Sequence, residues 1–551
     1  MKNMEVIKKM DEKYVLEFED SLAIMKAILG ERFIEYIFPV DDDGNVALDQ
    51  EDQRIDFALH QFIQAFINGL SFSLKDPSCL PYAQYYSQIN HGGIPVAETY
   101  RRLFGGSSYL LPKTQDSLEI FLRKRLLSFY PSTLIKPQQQ QVPYFGLIAL
   151  SFTTEHESHK QYEKLFYDDS TVRALLLQHG IDPDDDKSRQ LALVSYNVPC
   201  QLNFFPLLVE QATLLNSVYS AWLKKNNPSY IDVANELSHS LSIARAVLRG
   251  EQCQIPAILV FSGINARALE YAQIDNGIFR DPNLFEKNYL LPVDLNNVAI
   301  FETQCPLYTI QISSQSTRDD ASCLDGMTKA LMNDPTTQNL WKTAEKIRLA
   351  ILLASEGAMN PVYCGSYISS PVCLCSPSIS SPGLTNQGNS EENFVINTEQ
   401  FQYWYELLEK VHLPEISIER FLRAFSERSN IEDSVIDLFI AVECVFGTKT
   451  ELQFKISAVV ATILFPYNEA KGKETFKAFK MLYNLRSEIV HGNSGKRNDD
   501  RFDNVNLLKK YVLKLFKALL TDFSWVLERK PEKRIEEVLL KDYTTNNSPQ
   551  N

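Results

Sequence analysis

The feature that most constrains the fold of this chain is the helical periodicity of its last third. From residue 399 onward, apolar residues recur at the spacing of amphipathic helices, and proline or glycine separates one periodic segment from the next. The pattern predicts an all-α bundle over residues 399–535, followed by a disordered tail over residues 536–551. The predicted helices are Glu399–Val411, Ile416–Arg428, Glu432–Phe446, Glu451–Leu464, Glu474–Val490 and Asn504–Leu527.

A different pattern precedes this bundle. Residues 1–130 are predicted to be mostly helical, whereas residues 144–365 alternate short apolar runs, typical of strands, with helices such as Leu207–Leu223 and Tyr230–Leu248. Residues 366–398 are rich in Ser, Pro and Gly and predict a loop or linker with one candidate strand in its core. The fold class is therefore α+β and multidomain: a mixed α/β N-terminal region followed by an all-α helical bundle. The candidate strands are the apolar runs 144–152, 191–196, 257–261, 298–302 and 307–312.

Composition and charge limit the classes of function. The chain has 551 residues and a net charge of −14, whereas a protein that coats nucleic acid or binds an anionic membrane is basic overall. The sequence has no signal-peptide pattern and no apolar run approaching the roughly 20 residues of a membrane span. The nine cysteines follow no disulfide framework and no common zinc spacing. We therefore expect a cytoplasmic protein with reduced thiols, no membrane partner, no metal and no cofactor.

Two residues near the end of the bundle, Arg486 and His491, have the chemistry that RNA cleavage requires. They lie in the stretch LYNLRSEIVHG and are separated by four residues. Cleavage without a metal removes a proton from the 2′-hydroxyl, adds a proton to the 5′-oxygen and stabilises charge on the phosphoryl group. Histidine transfers protons near neutral pH, and arginine binds phosphate oxygens with a planar, permanently charged group. We predict that both residues are catalytic.

The context of this pair carries a family resemblance. Upstream lies EISIERFLRAFSERSNIEDSVIDLFIAVECVFG, which includes Arg420, Phe421 and Glu443, and the LY..RS..VHG signature follows. The combination resembles the Apea-like branch of the HEPN superfamily over about Ile416 to Lys517. The resemblance implies a helical fold, a homodimer or higher even oligomer formed through this domain, and often endoribonuclease activity in toxin or anti-phage defence systems.

Helical periodicity also predicts a contact between Glu443 and Arg486. Arg486 shares one face of its helix with the apolar residues Phe479 and Leu482, and Glu443 lies on the apolar face of an earlier helix. A buried charge without a partner is strongly disfavoured. We therefore expect Glu443 to pair with Arg486 or with the backbone of the motif, and so to hold the guanidinium in position.

His491 is predicted to point in a different direction from Arg486. It follows Arg486 by five residues, which is about 140° around an ideal helix, and falls with Ser487 and Glu488 on the polar side. One straight helix therefore cannot aim both groups at one phosphate, whereas two copies paired across a twofold axis could line one groove. This geometric requirement agrees with the homodimer that the resemblance implies.

Local charge is consistent with an RNA substrate. Between Lys471 and Lys517 the chain has 12 Lys and Arg against 5 Asp and Glu, a net charge of +7 in a chain of −14. Such a local excess suits a polyanion even where the whole protein is acidic. We predict that Tyr483, Asn493, Lys496 and Arg497 contact RNA, and that Glu443, Ser487 and Glu488 support the catalytic pair. The Tyr483 ring could stack on a base, or it could equally belong to the core.

Other interpretations stay open. Arg486 and His491 could form a structural pair in a non-catalytic module that only dimerises or binds RNA. A metallohydrolase could lie in the mixed region before residue 366. In the nuclease interpretation, the N-terminal region restrains the enzyme until an unknown trigger activates it, an expectation that comes from fold analogy.

Overall fold

The structure is a computed structural model that describes residues 18–41, 46–48, 53–73, 96–106, 111, 113–135, 156–185, 188–189, 192–197, 203–204, 207–275, 277–287, 291, 297–314, 335–373, 378–379, 395–447, 452–491 and 500–541. Within these ranges helices predominate, and two antiparallel sheets lie between an N-terminal group of helices and a C-terminal group. One continuous hydrophobic core runs through all three parts. The α+β class predicted from the sequence is confirmed at this level.

The first described helices pack around aromatic side chains. Phe38 and Phe104 stack with ring centroids 4.9 Å apart, and Phe62 meets both rings edge-on. All three rings are buried, so they contribute much of the apolar burial that holds these helices together. The helices of this part are α1 (Phe18–Leu29), α2 (Glu31–Ile37), α3 (Gln53–Ser73), α4 (Val96–Phe104), α5 (Ser117–Leu134), α6 (His156–Asp168) and α7 (Ser170–Gln178).

The middle of the chain forms two antiparallel sheets. Its described α-helices and β-strands are β1 (Ala192–Tyr196), β2 (Asn203–Phe204), α8 (Leu207–Lys224), α9 (Tyr230–Leu248), β3 (Cys253–Ser262), β4 (Gln273–Ile274), β5 (Gly277–Arg280), β6 (Val298–Leu307), β7 (Thr309–Ser314), α10 (Pro335–Ala354), β8 (Val362–Ile368) and β9 (Ser378–Ile379). The smaller sheet has the order β2-β1-β7 and the larger the order β4-β5-β6-β3-β8-β9.

Strand β3 is the centre of the larger sheet. It pairs with β6 along its whole length and with β8 on its other side. Residues 257–261 are all buried, because elements cover both faces of this strand, and this explains their uninterrupted apolar sequence. Every described strand pairing is antiparallel. The mixed region is therefore α+β in architecture rather than a parallel α/β sheet.

The predicted strands and helices of this region agree largely with the structure. The apolar runs 191–196, 257–261, 298–302 and 307–312 coincide in whole or in part with β1, β3, β6 and β7, and the helix predicted at Tyr230–Leu248 has those bounds. The run 144–152 lies outside the described residues.

The linker predicted over residues 366–398 is wrong at its start. Residues up to Ile368 belong to β8, and Ser369, which follows, is fully buried. Its hydroxyl donates a hydrogen bond to the side-chain oxygen of Asn216 in α8. Because a paired hydroxyl can be buried at little cost, a Ser-rich sequence typical of loops is compatible with the core here. Residues 380–394 lie outside the described part of the chain.

Helices are the regular elements of the described C-terminal residues, as predicted, and no strand lies among them. Helix α10 packs against β8 and against the first two helices of this part, so the boundary predicted at residue 365 does not separate two independent cores. None of the described helices is long and apolar enough to cross a membrane. The helices are α11 (Thr398–Lys410), α12 (Glu415–Ser426), α13 (Ile431–Phe446), α14 (Leu452–Leu464), α15 (Glu469–Val490), α16 (Asp500–Leu520), α17 (Ser524–Leu527) and α18 (Pro531–Leu540).

Some predicted helix ends need correction. Helix α15 begins before the predicted Glu474, because the Asn468 side chain accepts a hydrogen bond from the Lys471 amide and caps the helix there. The predicted tail begins too early, since residues 536–540 belong to α18. Residues 542–551 lie outside the described part.

Candidate functional site

Helices α13 and α15 meet through an aromatic contact that positions the predicted site. The Phe439 ring of α13 lies edge-on to Phe479 and Tyr483 of α15, with ring centroids 5.4 Å and 4.9 Å apart. One helical turn beyond Phe439 lies Glu443, and about one turn beyond Tyr483 lies Arg486. This packing brings a carboxylate and a guanidinium from different helices side by side.

Glu443 interacts with both Tyr483 and Arg486. One carboxylate oxygen accepts a hydrogen bond of 2.7 Å from the Tyr483 hydroxyl, and the other lies 3.5 Å from Arg486 Nη2. The Arg486 guanidinium also lies over the Tyr483 ring, 5.4 Å from its centroid, at a distance typical of cation–π contact. The predicted contact between Glu443 and Arg486 is confirmed. Tyr483 contacts both side chains, through its hydroxyl and through its ring.

Tyr483 is buried, which argues against the predicted stacking of its ring on an RNA base. Only 7% of its surface is exposed, since Phe439 and the Arg486 guanidinium cover the ring. Burial and the hydrogen bond to Glu443 raise the pKa of Tyr483 well above its usual value, so the hydroxyl keeps its proton and acts as a donor. Tyr483 is therefore suited to holding Glu443 and Arg486 in position.

Arg486 retains binding capacity beyond this contact. Its Nη2 donates to Glu443 at the long limit of a hydrogen bond, and its buried Nε has no hydrogen-bond partner among the described residues. A guanidinium offers five N–H donors, and a buried donor without a partner costs about 1–3 kcal/mol. A quarter of the side chain is exposed, so an anionic ligand could reach the outer N–H groups of the guanidinium but not the buried Nε.

His491 lies at the exposed C-terminal end of α15. It is the C-cap residue, and its backbone amide donates a 3.1 Å hydrogen bond to the carbonyl of Ser487. Its side chain is exposed, as is that of Glu488, while Ser487 is half-buried. Five residues of helix place His491 about 7.5 Å beyond Arg486 along the axis and about 140° around it. The ideal helix thus places the two residues on different sides, and the divergence of their side chains stays a prediction.

The predicted RNA contacts Asn493, Lys496 and Arg497 lie outside the described residues, and so does Gly492.

The predicted positive charge is less concentrated at the site than the sequence indicated. Lys509 lies 5.1 Å from the centroid of the Phe425 ring, and burial lowers the pKa of its amine, while Lys517 lies over Trp404 and pairs with Glu356. These two lysines pack against other helices instead of facing His491.

Sequence reasoning missed a second carboxylate on α13. Asp437 is almost fully buried and accepts a 2.9 Å hydrogen bond from Arg420 Nη1 and a 2.6 Å hydrogen bond from Arg428 Nε. The signal was present, because Asp437 is an acidic residue in the apolar stretch of a helix, like Glu443. The argument that predicted a cationic partner for Glu443 applies equally to Asp437.

No group of three or more His, Cys, Asp or Glu side chains within the described ranges is arranged to hold a metal ion.

Comparison of the chain with family models, with curated proteins and with solved structures found no match.

Proposed function

We propose that this chain is a metal-independent endoribonuclease of the HEPN type that acts as a homodimer, as a toxin or anti-phage effector. The observation that carries the proposal is that Arg486 is held by two neighbouring side chains but keeps unused hydrogen-bond donors. Glu443 and Tyr483 hold its guanidinium in place, yet most of its hydrogen-bonding capacity is unused among the described residues. A pre-positioned arginine with spare donors suits the stabilisation of phosphoryl charge.

His491 provides the second part of the chemistry. Its exposed imidazole, at the end of the helix that carries Arg486, suits proton transfer to or from the reacting oxygens. Attack by the 2′-oxygen on phosphorus would break the bond to the 5′-oxygen, giving a 2′,3′-cyclic phosphate and a 5′-hydroxyl. Because an ideal helix directs residues five positions apart to different sides, we infer that the active groove requires the second copy.

The test is cleavage of RNA in EDTA by the full-length protein and by His491→Ala. We expect cleavage to fall by at least about a hundredfold, the usual contribution of general acid–base catalysis. The matched control is His412→Ala, which removes an exposed histidine from the connection between α11 and α12. Equal cleavage by wild type and His491→Ala would reject the assignment, and so would an equal loss in His412→Ala.

A second candidate is a non-catalytic module for dimerisation or RNA binding. The observations that favour it are the contact between Arg486 and Glu443 and the position of His491 as a helix cap, since both have a structural use. It predicts that the wild-type protein binds RNA or dimerises without cleaving RNA under any condition. Detection of 2′,3′-cyclic phosphate ends that disappear in His491→Ala would exclude it.

We also propose that the N-terminal part restrains the bundle. Helix α11 is tied to the segment 270–275, which contains β4 and the turn after it. The Tyr405 hydroxyl donates a 2.7 Å hydrogen bond to Asp275, and the Thr398 hydroxyl donates one to Glu270. Asp275 and Glu270 both have positive φ angles, 47° and 48°, which cost energy for residues other than glycine. This strained segment is hydrogen-bonded to the first helix of the bundle, so it is suited to transmitting a conformational change from the sheet to the bundle.

A further inference from the structure

A half-buried strip on α13 separates α12 from α15. On an ideal helix this strip covers about 100°. It lies between Asp437, which bonds to α12, and Phe439, which contacts α15. The α13 strip, as we call it, consists of Ile436, Ile440, Glu443 and Cys444.

Each edge of the α13 strip carries an arginine that is anchored by a carboxylate of α13. On the α15 edge, Arg486 contacts Glu443, and on the α12 edge, Arg420 contacts Asp437.

Arg420 resembles Arg486 in having unused donors. Among the described residues it makes one hydrogen bond, from Nη1 to Asp437, its Nε is buried without a partner, and 31% of its side chain is exposed. Arg428 binds the other oxygen of Asp437, so two guanidinium groups share one carboxylate. The carboxylate of Asp437 is thus shared, while Asp433 and Glu427 also act on Arg428, so Arg420 is the arginine of this edge that keeps unused donors.

The spacing of the two edges suits an extended polyanion. Asp437 and Glu443 are six residues apart, which is about 9 Å along the helix axis. Arginines anchored at these two levels can contact successive phosphates of one strand, while Ile436 and Ile440 offer an apolar floor to the sugars and bases. Backbone contacts of this kind add affinity without dependence on sequence.

We propose that the α13 strip is the path of the RNA backbone away from the cleavage site, with Arg420 as its second phosphate contact. This inference rests on the proposed nuclease function and names the surface that holds its substrate. Arg420 is a binding residue in this account, whereas Arg486 acts at the reacting phosphate.

The test measures binding of a single-stranded oligoribonucleotide by full-length His491→Ala protein over a range of salt concentrations. Adding Arg420→Gln is expected to weaken binding roughly tenfold at low salt. It should also reduce the slope of log K against log[salt] by about 0.7, the value for one lost phosphate contact with a single strand. The control is Arg423→Gln on the same helix, since Arg423 is similarly exposed but lies between Glu419 and Glu427. Its slope should not change.

The variant Arg420→Lys distinguishes an effect of lost positive charge from an effect of impaired folding. It keeps the positive charge, so it should retain most of the salt slope, and thermal unfolding reports whether each variant is folded. If Arg420→Lys loses as much of the slope as Arg420→Gln, the effect is structural and the proposal is overturned.

The other outcomes are also decisive. If RNA binds but Arg420→Gln behaves like Arg423→Gln, the α13 strip is not the path, while the nuclease proposal stands. If Arg420→Gln dissociates a dimer in sedimentation experiments, the strip is an interface between copies of this chain, and the proposal is wrong. If the His491→Ala protein binds no RNA at any salt concentration, both the nuclease proposal and this one fail.

Discussion

Replacement of Arg486 by alanine separates a catalytic role from a structural one. The guanidinium contacts Glu443 through one nitrogen at 3.5 Å, and the two side chains retain 25% and 18% of their exposure to solvent. A pair of this length and exposure contributes about 1 kcal/mol or less to the free energy of unfolding. We therefore expect Arg486→Ala to lower that free energy by about 1 kcal/mol and to abolish RNA cleavage.

Glu443→Ala is the matched comparison. It removes the contact with Arg486 and leaves the hydroxyl of the buried Tyr483 without its 2.7 Å acceptor. An unpaired buried hydroxyl costs about 1–3 kcal/mol, so Glu443→Ala should lower the free energy of unfolding by about 2–4 kcal/mol. Glu443→Gln keeps an acceptor for Tyr483 and should cost less than Glu443→Ala.

The assay is urea denaturation of the full-length variants, followed by tryptophan fluorescence and compared with RNA cleavage in EDTA. The expected result is a large loss of stability for Glu443→Ala, a small loss for Arg486→Ala, and loss of cleavage in Arg486→Ala although the protein is folded. If Arg486→Ala is destabilised as much as Glu443→Ala, the weak-contact argument is refuted and Arg486 is a structural partner. A folded Arg486→Ala protein that cleaves RNA at the wild-type rate would refute its catalytic role.

Two further predictions concern the junction between the sheet and the bundle. Burial raises the pKa of Glu345 in α10 to about 7, and the negative charge of Glu419 adds to the rise. The folded state therefore holds this proton more tightly than the unfolded state, and the resulting stability is complete below pH 4.5 and is lost as pH rises through 7. Glu345→Gln should consequently stabilise the protein above pH 7 by about 1 kcal/mol, after allowance for solvent screening. Thermal denaturation against pH measures this, and a gain that is independent of pH would contradict it. Tyr405→Phe removes the hydrogen bond to Asp275 and should raise RNA cleavage several-fold if the sheet restrains the bundle; unchanged cleavage by a folded variant would argue against restraint through this contact.

Local periodicity allowed much of the helical structure to be predicted from the sequence. The bounds of α9 follow from apolar spacing, and most predicted helix ends in the C-terminal part lie within a few residues of those observed. The contact between Glu443 and Arg486 was predictable for a similar reason. Each residue lies on an apolar face of its own helix, and a buried charge needs a partner.

The sequence could not indicate which segments pair across the chain. Ser369 belongs to the core because Asn216, far away in the sequence, provides its acceptor, although its neighbours resemble a loop. Lys509 and Lys517 were counted with the predicted RNA-binding charge, yet they lie over Phe425 and Trp404 of other helices. The partner of a side chain depends on distant segments, and no local pattern encodes it.

The sequence by itself therefore determined the helices of the C-terminal part and the order of sheet and bundle, and it led to the prediction that Arg486 and His491 act in phosphodiester cleavage. Only the tertiary structure decided that the buried Tyr483 donates to Glu443 and that Asp437 binds two arginines. It also decided that the α13 strip stays half-buried between the contacts of α13 with α12 and with α15. The physical reason is that periodicity arises within a segment, from 3.6 residues per helical turn. A site arises between segments, where packing decides which faces meet and which donors lack a partner.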